Sequence, residues 1–295
     1  MARSINLSIA RAALFPYALS LPALVIVVGL VVIPLLTLGV YSFWSQALDG
    51  RIDATFTLKT WATLFEDAFV AGVMFDTFRL AFGTMLICGV VGYGPAYFMT
   101  IVSPRWRGIL AILLFLPSWI SYVVRTMSWI PILGKTGIIN TALTASGITS
   151  APLALLYNEF SIYMGLVHYL LPLMILNIYL GLLSVEPSVI AAARTLGANQ
   201  YETFIRIIFP LSVPGLSAGC LLCFILSLGT FVTPKILGSP GMLFYGNLVY
   251  ETIVHQIDWP TGAMLSLVII FLLIALLYIY SRFLNLSTVL RAVKS

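Results

Sequence analysis

Apolar residues in this chain run in long unbroken blocks instead of alternating with polar ones. Six blocks stand out, at 17–44, 77–102, 108–131, 155–183, 211–237 and 262–284. Each reaches the roughly 20 residues that a helix needs to cross a hydrocarbon core about 30 Å thick, with room for tilt. No water reaches the backbone there, so each block is expected to satisfy its own hydrogen bonds as a helix. Gly92, Gly94 and Pro95 are expected to interrupt the second helix, and Pro117 and Pro131 the third. The pattern predicts an all-α integral membrane protein with six transmembrane helices, forming one transmembrane domain over residues 1–295.

Composition agrees. Of 295 residues, 61% are hydrophobic and only 8% charged, where a soluble domain carries about 25%. The mean hydropathy is +1.06. The first block is far longer than the ~7–15 residues of a signal-peptide core, so no cleavable signal is expected. A net charge of +5 would suggest nucleic acid in a soluble protein. Here the basic residues lie between the apolar blocks and report orientation, so nucleic acid is not an expected partner and membrane lipid is. Arg3, Arg11, Arg105, Arg107, Arg194, Arg206, Arg282, Arg291 and Lys294 fall in the segments of one side. Asp49, Asp53, Glu66, Asp67, Asp76, Glu251 and Asp258 fall on the other. The excess of Lys and Arg on cytoplasmic loops then places both termini and the fourth loop in the cytoplasm. Cys88, Cys220 and Cys223 all lie within apolar blocks, where small packing residues are the ordinary reading and a redox or metal site is not. Neither an internal repeat nor a low-complexity stretch is visible.

The fourth loop, about 185–215, carries the most local information. Pro187 suits the first turn of a helix, Ala191 to Ala193 are strong helix formers, and Gly197 stands where a helix ends in a left-handed residue. Asn199 can cap a second helix, closing a capping box with Glu202. Tyr201, Phe204, Ile205 and Ile208 are spaced along one face of that helix. Pro210 and Pro214 are expected to end it and begin the next span. The result is a helix–Gly–helix elbow on the cytoplasmic surface. On periodicity alone, a hairpin resting among lipid headgroups fits equally well.

This segment resembles the coupling loop of binding-protein-dependent ABC importer permeases, with the pattern E-A-A-x-x-x-G-A, an apolar helix, then P-x-x-x-P-G. Ala192, Ala193, Gly197, Ala198, Phe204, Ile207, Pro210, Pro214 and Gly215 match in order and spacing, and the leading Glu is replaced by Ala191. The stretch from Leu116 to Asn140, Tyr93-Gly-Pro-Ala-Tyr97 and Asp258-Trp-Pro-x-Gly262 are similar to the first permease subunit of spermidine/putrescine-type importers. The resemblance implies a bacterial inner-membrane assembly of two non-identical permeases, two ATP-binding subunits and a periplasmic substrate-binding protein. It implies that ATP and its magnesium are bound by the partner ATPases, with no cofactor and no enzymatic step in this chain. It also implies an ATPase-coupling role for Ala192, Ala193, Arg194, Gly197, Ala198, Glu202, Phe204, Pro210, Pro214 and Gly215.

Other constellations weigh less. Gly134-Lys135-Thr136 lacks the upstream glycine of a phosphate loop, since Trp129 stands there. Arg125 is a charge within a span, which reads either as a functional residue or as a snorkelling arginine near the periplasmic interface. Glu159, beside Tyr157 and Tyr163, reads as an attractor for a cationic solute or as a solvated interfacial residue. With Trp119, Tyr122 and Trp129, these make a candidate substrate pathway. His168 has no second metal ligand near it in sequence and reads as a packed histidine, and Gly215-x-x-x-Gly219 reads as close helix packing. An ion-coupled secondary transporter is the alternative of another class, but would want ionisable groups at mid-bilayer. The substrate is open among polyamines, other small amines, opines and phosphonates.

Overall fold

The computed structural model describes residues 2–47 and 51–283. Asp49, Arg291 and Lys294 of the charge pattern lie outside them. In chain order the elements are α1 (Ala2–Tyr41), β1 (Ser45–Gln46), β2 (Ile52–Asp53), α2 (Lys59–Glu66), α3 (Ala68–Ile101) and α4 (Pro104–Phe115). Then come α5 (Tyr122–Met127), α6 (Trp129–Leu133), α7 (Ile138–Ala145), α8 (Glu159–Leu183), α9 (Pro187–Thr195) and α10 (Gln200–Thr203). The chain continues with α11 (Phe209–Leu228), α12 (Val232–Leu237), α13 (Tyr245–Tyr250) and α14 (Trp259–Phe283). Among the described residues, five helices are long and apolar enough to span a membrane, and six when the bent α4–α7 segment counts as one.

The chain divides into two compact units. One comprises the described residues up to Glu66 with Thr252–Leu272, the other Asp67–Glu251 with the described residues from Leu273 to Phe283. In the first, α1 is apolar on every face from Leu21 to Tyr41 and none of that stretch is buried, as expected of a helix facing lipid or another subunit. After it, β1 and β2 pair antiparallel, with Ser45 opposite Asp53, and Phe43 stacks on Phe56 at 5.2 Å. Asp258 caps the start of α14, its carboxylate accepting from the Thr261 amide at 3.1 Å. Gly262 follows because a Cβ there would lie 2.2 Å from Ile253 Cγ1.

The second unit is built on α3, α8 and α11. Their shared core contains Cys88, Ala96 and Met99 of α3, Leu170, Met174, Ile178 and Leu182 of α8, and Cys223 of α11. The cysteines there are free, buried or half-buried, and serve as small packing residues. α8 and α11 meet backbone to backbone, since a Cβ on Gly215 would sit 2.6 Å from Gly181 Cα.

Two spans differ from their expected form, and a third breaks at Pro117 as expected. α3 is a single helix despite Gly92, Gly94 and Pro95. Gly92 is buried where a Cβ would come within 3.3 Å of Met174 and Ile175, and the amide bond and carbonyl contact that Pro95 disturbs are tolerated in a packed membrane helix. It also starts at Ala68, earlier than 77, because Asp67 caps it through the Phe69 amide at 2.8 Å. The third block breaks. A 3₁₀ turn at Leu116–Trp119, containing Pro117, leads to extended Ile120 (φ −83°, ψ 140°), and the helical segments on either side diverge by 94°. The fifth span is shifted. It runs from Gln200 through a π turn at Phe204–Ile208 to Leu228, and α12 is separate. Pro210 and Pro214 therefore do not end the helix. The wider π turn lies directly before Pro210, where the regular i→i−4 bonding is already relaxed, so the missing amide does not end the helix.

Candidate coupling surface and translocation path

The elbow closes by local bonds. At the end of α9 the Gly197 amide donates to the Arg194 carbonyl (3.0 Å) and the Ala198 amide to the Ala193 carbonyl (3.1 Å), the paired bonds of a Schellman stop. Gly197 has φ +88°, the left-handed conformation expected of it. Asn199 and Glu202 form the expected reciprocal capping box, at 2.9 and 3.1 Å.

The face of the second helix differs from its periodic reading. Ile208 is buried and Phe204 half-buried, but Tyr201 is 73% exposed and Ile205 is exposed too. The π turn rotates the register, so Phe204 and Ile208 point to the core while Tyr201 points away. Phe204 packs edge-on to Tyr93 and Tyr97 of α3, at 5.7 and 5.4 Å, and the Tyr93 hydroxyl bonds Ser212 Oγ at 2.7 Å. The elbow is thus fastened to the end of α3. Its outer surface presents Ala192, Arg194, Gly197, Tyr201 and Leu196, the last 88% exposed. Ala193 is buried, and Ala198 and Glu202 are half-buried. Pro210, Pro214 and Gly215 lie along α11, away from the turn, and Gly215 serves the crossing with α8.

The five path candidates do not form one site. Tyr122, Arg125 and Trp129 converge on one stretch of α8. The Tyr122 hydroxyl bonds Thr230 Oγ1 at 3.1 Å and also Thr233. Arg125 lies over the Tyr169 ring, 5.2 Å from its centroid, and Trp129 Nε1 donates to His168 Nδ1 at 3.3 Å. His168 is thereby held as a hydrogen-bond acceptor. Trp119, beyond the bend at Ile120, is 84% exposed. Glu159 stands apart: it is ion-paired with Arg79, which also approaches Asp76 at 3.6 Å.

Known proteins resemble this chain in sequence and in fold. Residues 96–285 match the family described as binding-protein-dependent transport system inner membrane component. The spermidine/putrescine transport system permease protein PotB of Haemophilus influenzae is 33% identical over 85% of this chain and 88% of its own. The chain belongs to this family. It is a multi-pass inner-membrane permease subunit of a binding-protein-dependent ABC transport system. PotB of Escherichia coli K12 is 30% identical over 83% of this chain and 90% of its own. In fold, the permease resembles a chain of a bacterial ABC transporter involved in the import of the acidic polysaccharide alginate, with a TM-score of 0.71, 16% identity, and coverage of 95% of this chain and 97% of that one.

Several residues that organise the permease escaped sequence reasoning. Tyr93 and Tyr97 were visible only as part of a resemblance, and their clamp on Phe204 needed the fold. Arg107, counted as an orientation charge, also caps the end of α3, with Nε 3.1 Å from the Met99 carbonyl and Nη2 3.1 Å from that of Thr100. A cation there complements the helix dipole. Thr77 accepts from the Tyr245 amide at 2.8 Å, tying α13 to α3. Lys235 and Glu251 form an ion pair across the segment 238–250. Spacing carries no trace of such long-range partners.

Proposed function

We propose that this permease moves polyamines of the spermidine/putrescine class into the cytoplasm by alternating access. The observation that carries this reading is the 33% identity to a spermidine/putrescine permease over 85% of the chain. The exposed elbow supports the coupling part. Its glycine stop, capping box and aromatic fastening make a rigid projection, and rigid projections transmit the closure of a partner as motion of the attached helices. In this reading Ala192, Arg194, Gly197, Leu196 and Tyr201 meet a partner ATPase, and ATP and magnesium are bound there. The chain itself performs no chemical step. It works beside a second, non-identical permease, two ATP-binding subunits and a periplasmic binding protein, with both termini and the elbow in the cytoplasm. A solute bearing two or more ammonium groups would pass the Tyr122 and Trp129 rings, which attract cations through their π faces.

The test is uptake of radiolabelled putrescine and spermidine by cells without their own polyamine importers. They would co-express this permease with the subunits encoded beside it. ATP-dependent accumulation, competed by the unlabelled amine, is expected. An assembled complex that hydrolyses ATP with its binding protein but accumulates neither amine would overturn the substrate.

A further inference from the structure

The elbow joins α11 through the π turn at Phe204–Ile208, and Tyr93 of α3 holds that turn at both ends. At one end the Tyr93 ring lies edge-on to Phe204, 5.7 Å away. At the other it acts through Ser212, which is fully buried. Ser212 Oγ donates to the Phe209 carbonyl at 2.8 Å. A serine has one proton to give, so the Tyr93 hydroxyl is the donor in the 2.7 Å bond between them. The Phe209 amide in turn donates to the Phe204 carbonyl and closes the π turn. The Tyr93–Ser212 bond is the only side-chain hydrogen bond between α3 and α11 among the described residues.

The turn needs holding. Pro210 follows it directly and has no amide, so the backbone ladder that would fix the register is interrupted there. The sequence also suits a second register, because Tyr201, Phe204, Ile205 and Ile208 have the spacing of one face of an unbroken α-helix. In that register Tyr201 would turn inward with Phe204 and Ile208. In the π register Tyr201 is 73% exposed, on the outer surface of the elbow. We propose that Tyr93 is a positioning residue for coupling: through Phe204 and Ser212 it holds the π register. The elbow's outer surface is thereby kept in place for the partner ATPase, and its movement is delivered to α3 and α11 together. The inference rests on the coupling role proposed above. The Tyr93 hydroxyl is bonded inside the permease and touches neither ATP nor solute. What it governs is how much transport each hydrolysed ATP yields.

The experiment uses the full complex in liposomes and reads putrescine taken up per ATP hydrolysed, at saturating amine. Tyr93→Phe removes only the hydroxyl, and Ser212→Ala removes its acceptor. Both complexes are expected to assemble in wild-type amounts and to hydrolyse ATP, with uptake per ATP lower by up to about fivefold, the factor that one hydrogen bond carries. The double variant is expected to lose no more than either single one, because the same bond is broken. Tyr179→Phe is the matched control. Tyr179 packs against the same core from α8 and its hydroxyl has no hydrogen-bond partner among the described residues, so its ratio is expected to stay at the wild-type value. A merely structural bond predicts something else: less complex and a lower melting temperature, with uptake and hydrolysis falling together and their ratio unchanged. That result would overturn the inference, as would losses that multiply in the double variant. If the wild type is coupled and both single variants are equally so, this inference alone falls. If the wild-type complex itself hydrolyses ATP and takes up no amine, the function proposed above fails and takes the inference with it.

Discussion

Gly197 sits at φ +88° with no heavy atom within 4 Å of where its Cβ would be. Space is free there and only the backbone conformation is demanding. Aspartate tolerates left-handed geometry better than most residues, so Gly197→Asp is expected to leave the permease folded and inserted. Gly197→Ala carries the backbone strain, about 1 kcal/mol, without a charge. If the elbow seats in an ATPase, Gly197→Asp places an unpaired carboxylate in that contact, which costs several kcal/mol. Transport and solute-stimulated ATP hydrolysis should then be lost in Gly197→Asp but largely kept in Gly197→Ala. Equal activity of Gly197→Asp and wild type would remove the coupling role. At this scale much was legible: a glycine stop and an Asn–Glu box are local grammar, decided by neighbours three or four residues away. Glu159 was not. Its pairing with Arg79 joins residues 80 positions apart, and no spacing rule reaches that far.

Elements were legible in number and less so in form, because apolar length says where a span lies and not how it packs. Gly92 and Pro95 read as breakers, yet α3 continues, since its neighbours α8 and α11 supply the packing that holds a helix together. Pro117 read the same way and does break its helix, where the chain turns through 94°. The pair Gly215-x-x-x-Gly219 was correctly read as packing, but the glycine that meets Gly215, Gly181, is on α8. This crossing is tight enough to test. A Cβ at Gly215 would lie 2.5 Å from the Asn177 carbonyl oxygen, and backbone cannot step aside as a side chain can. Gly215→Ala is expected to push α8 and α11 apart at a cost of about 1–3 kcal/mol, seen as a lower melting temperature of the purified complex. Gly94→Ala is the matched control, in open space with nothing within 4 Å. It should be neutral or slightly stabilising, by up to about 1 kcal/mol from helix propensity. Identical melting of the two variants would mean that α8 and α11 cross less closely than this.

At the scale of the whole molecule, the sidedness of the permease follows from where its charges fall between spans. Arg105 and Arg107 flank the short α3–α4 link, and Arg194 and Arg206 flank or lie in the elbow. In chain order Asp53, Asp76, Glu251 and Asp258 fall in or beside the other set of connecting segments. Loops rich in Lys and Arg near span ends stay cytoplasmic, whereas acidic residues contribute little to orientation. The arginines therefore set the orientation, and Arg107 contributes although it caps α3, because insertion precedes that contact. The same sidedness is required by the proposed coupling role, since ATP is cytoplasmic and an elbow on the other face could meet no ATPase. Ser188, on α9, is exposed, and so is Ala54, beyond β2. In a background with Cys88, Cys220 and Cys223 replaced, Ser188→Cys is expected to resist a membrane-impermeant maleimide on intact cells and to react once the cells are opened. Ala54→Cys is expected to react on intact cells. The two sites are expected to differ, because α3, α8 and the bent α4–α7 segment, counted as one span, put an odd number of crossings between them. Labelling of Ser188→Cys on intact cells would invert the molecule and with it the coupling role of the elbow. Labelling of both would show that the bent segment does not cross, and leave five spans in place of six.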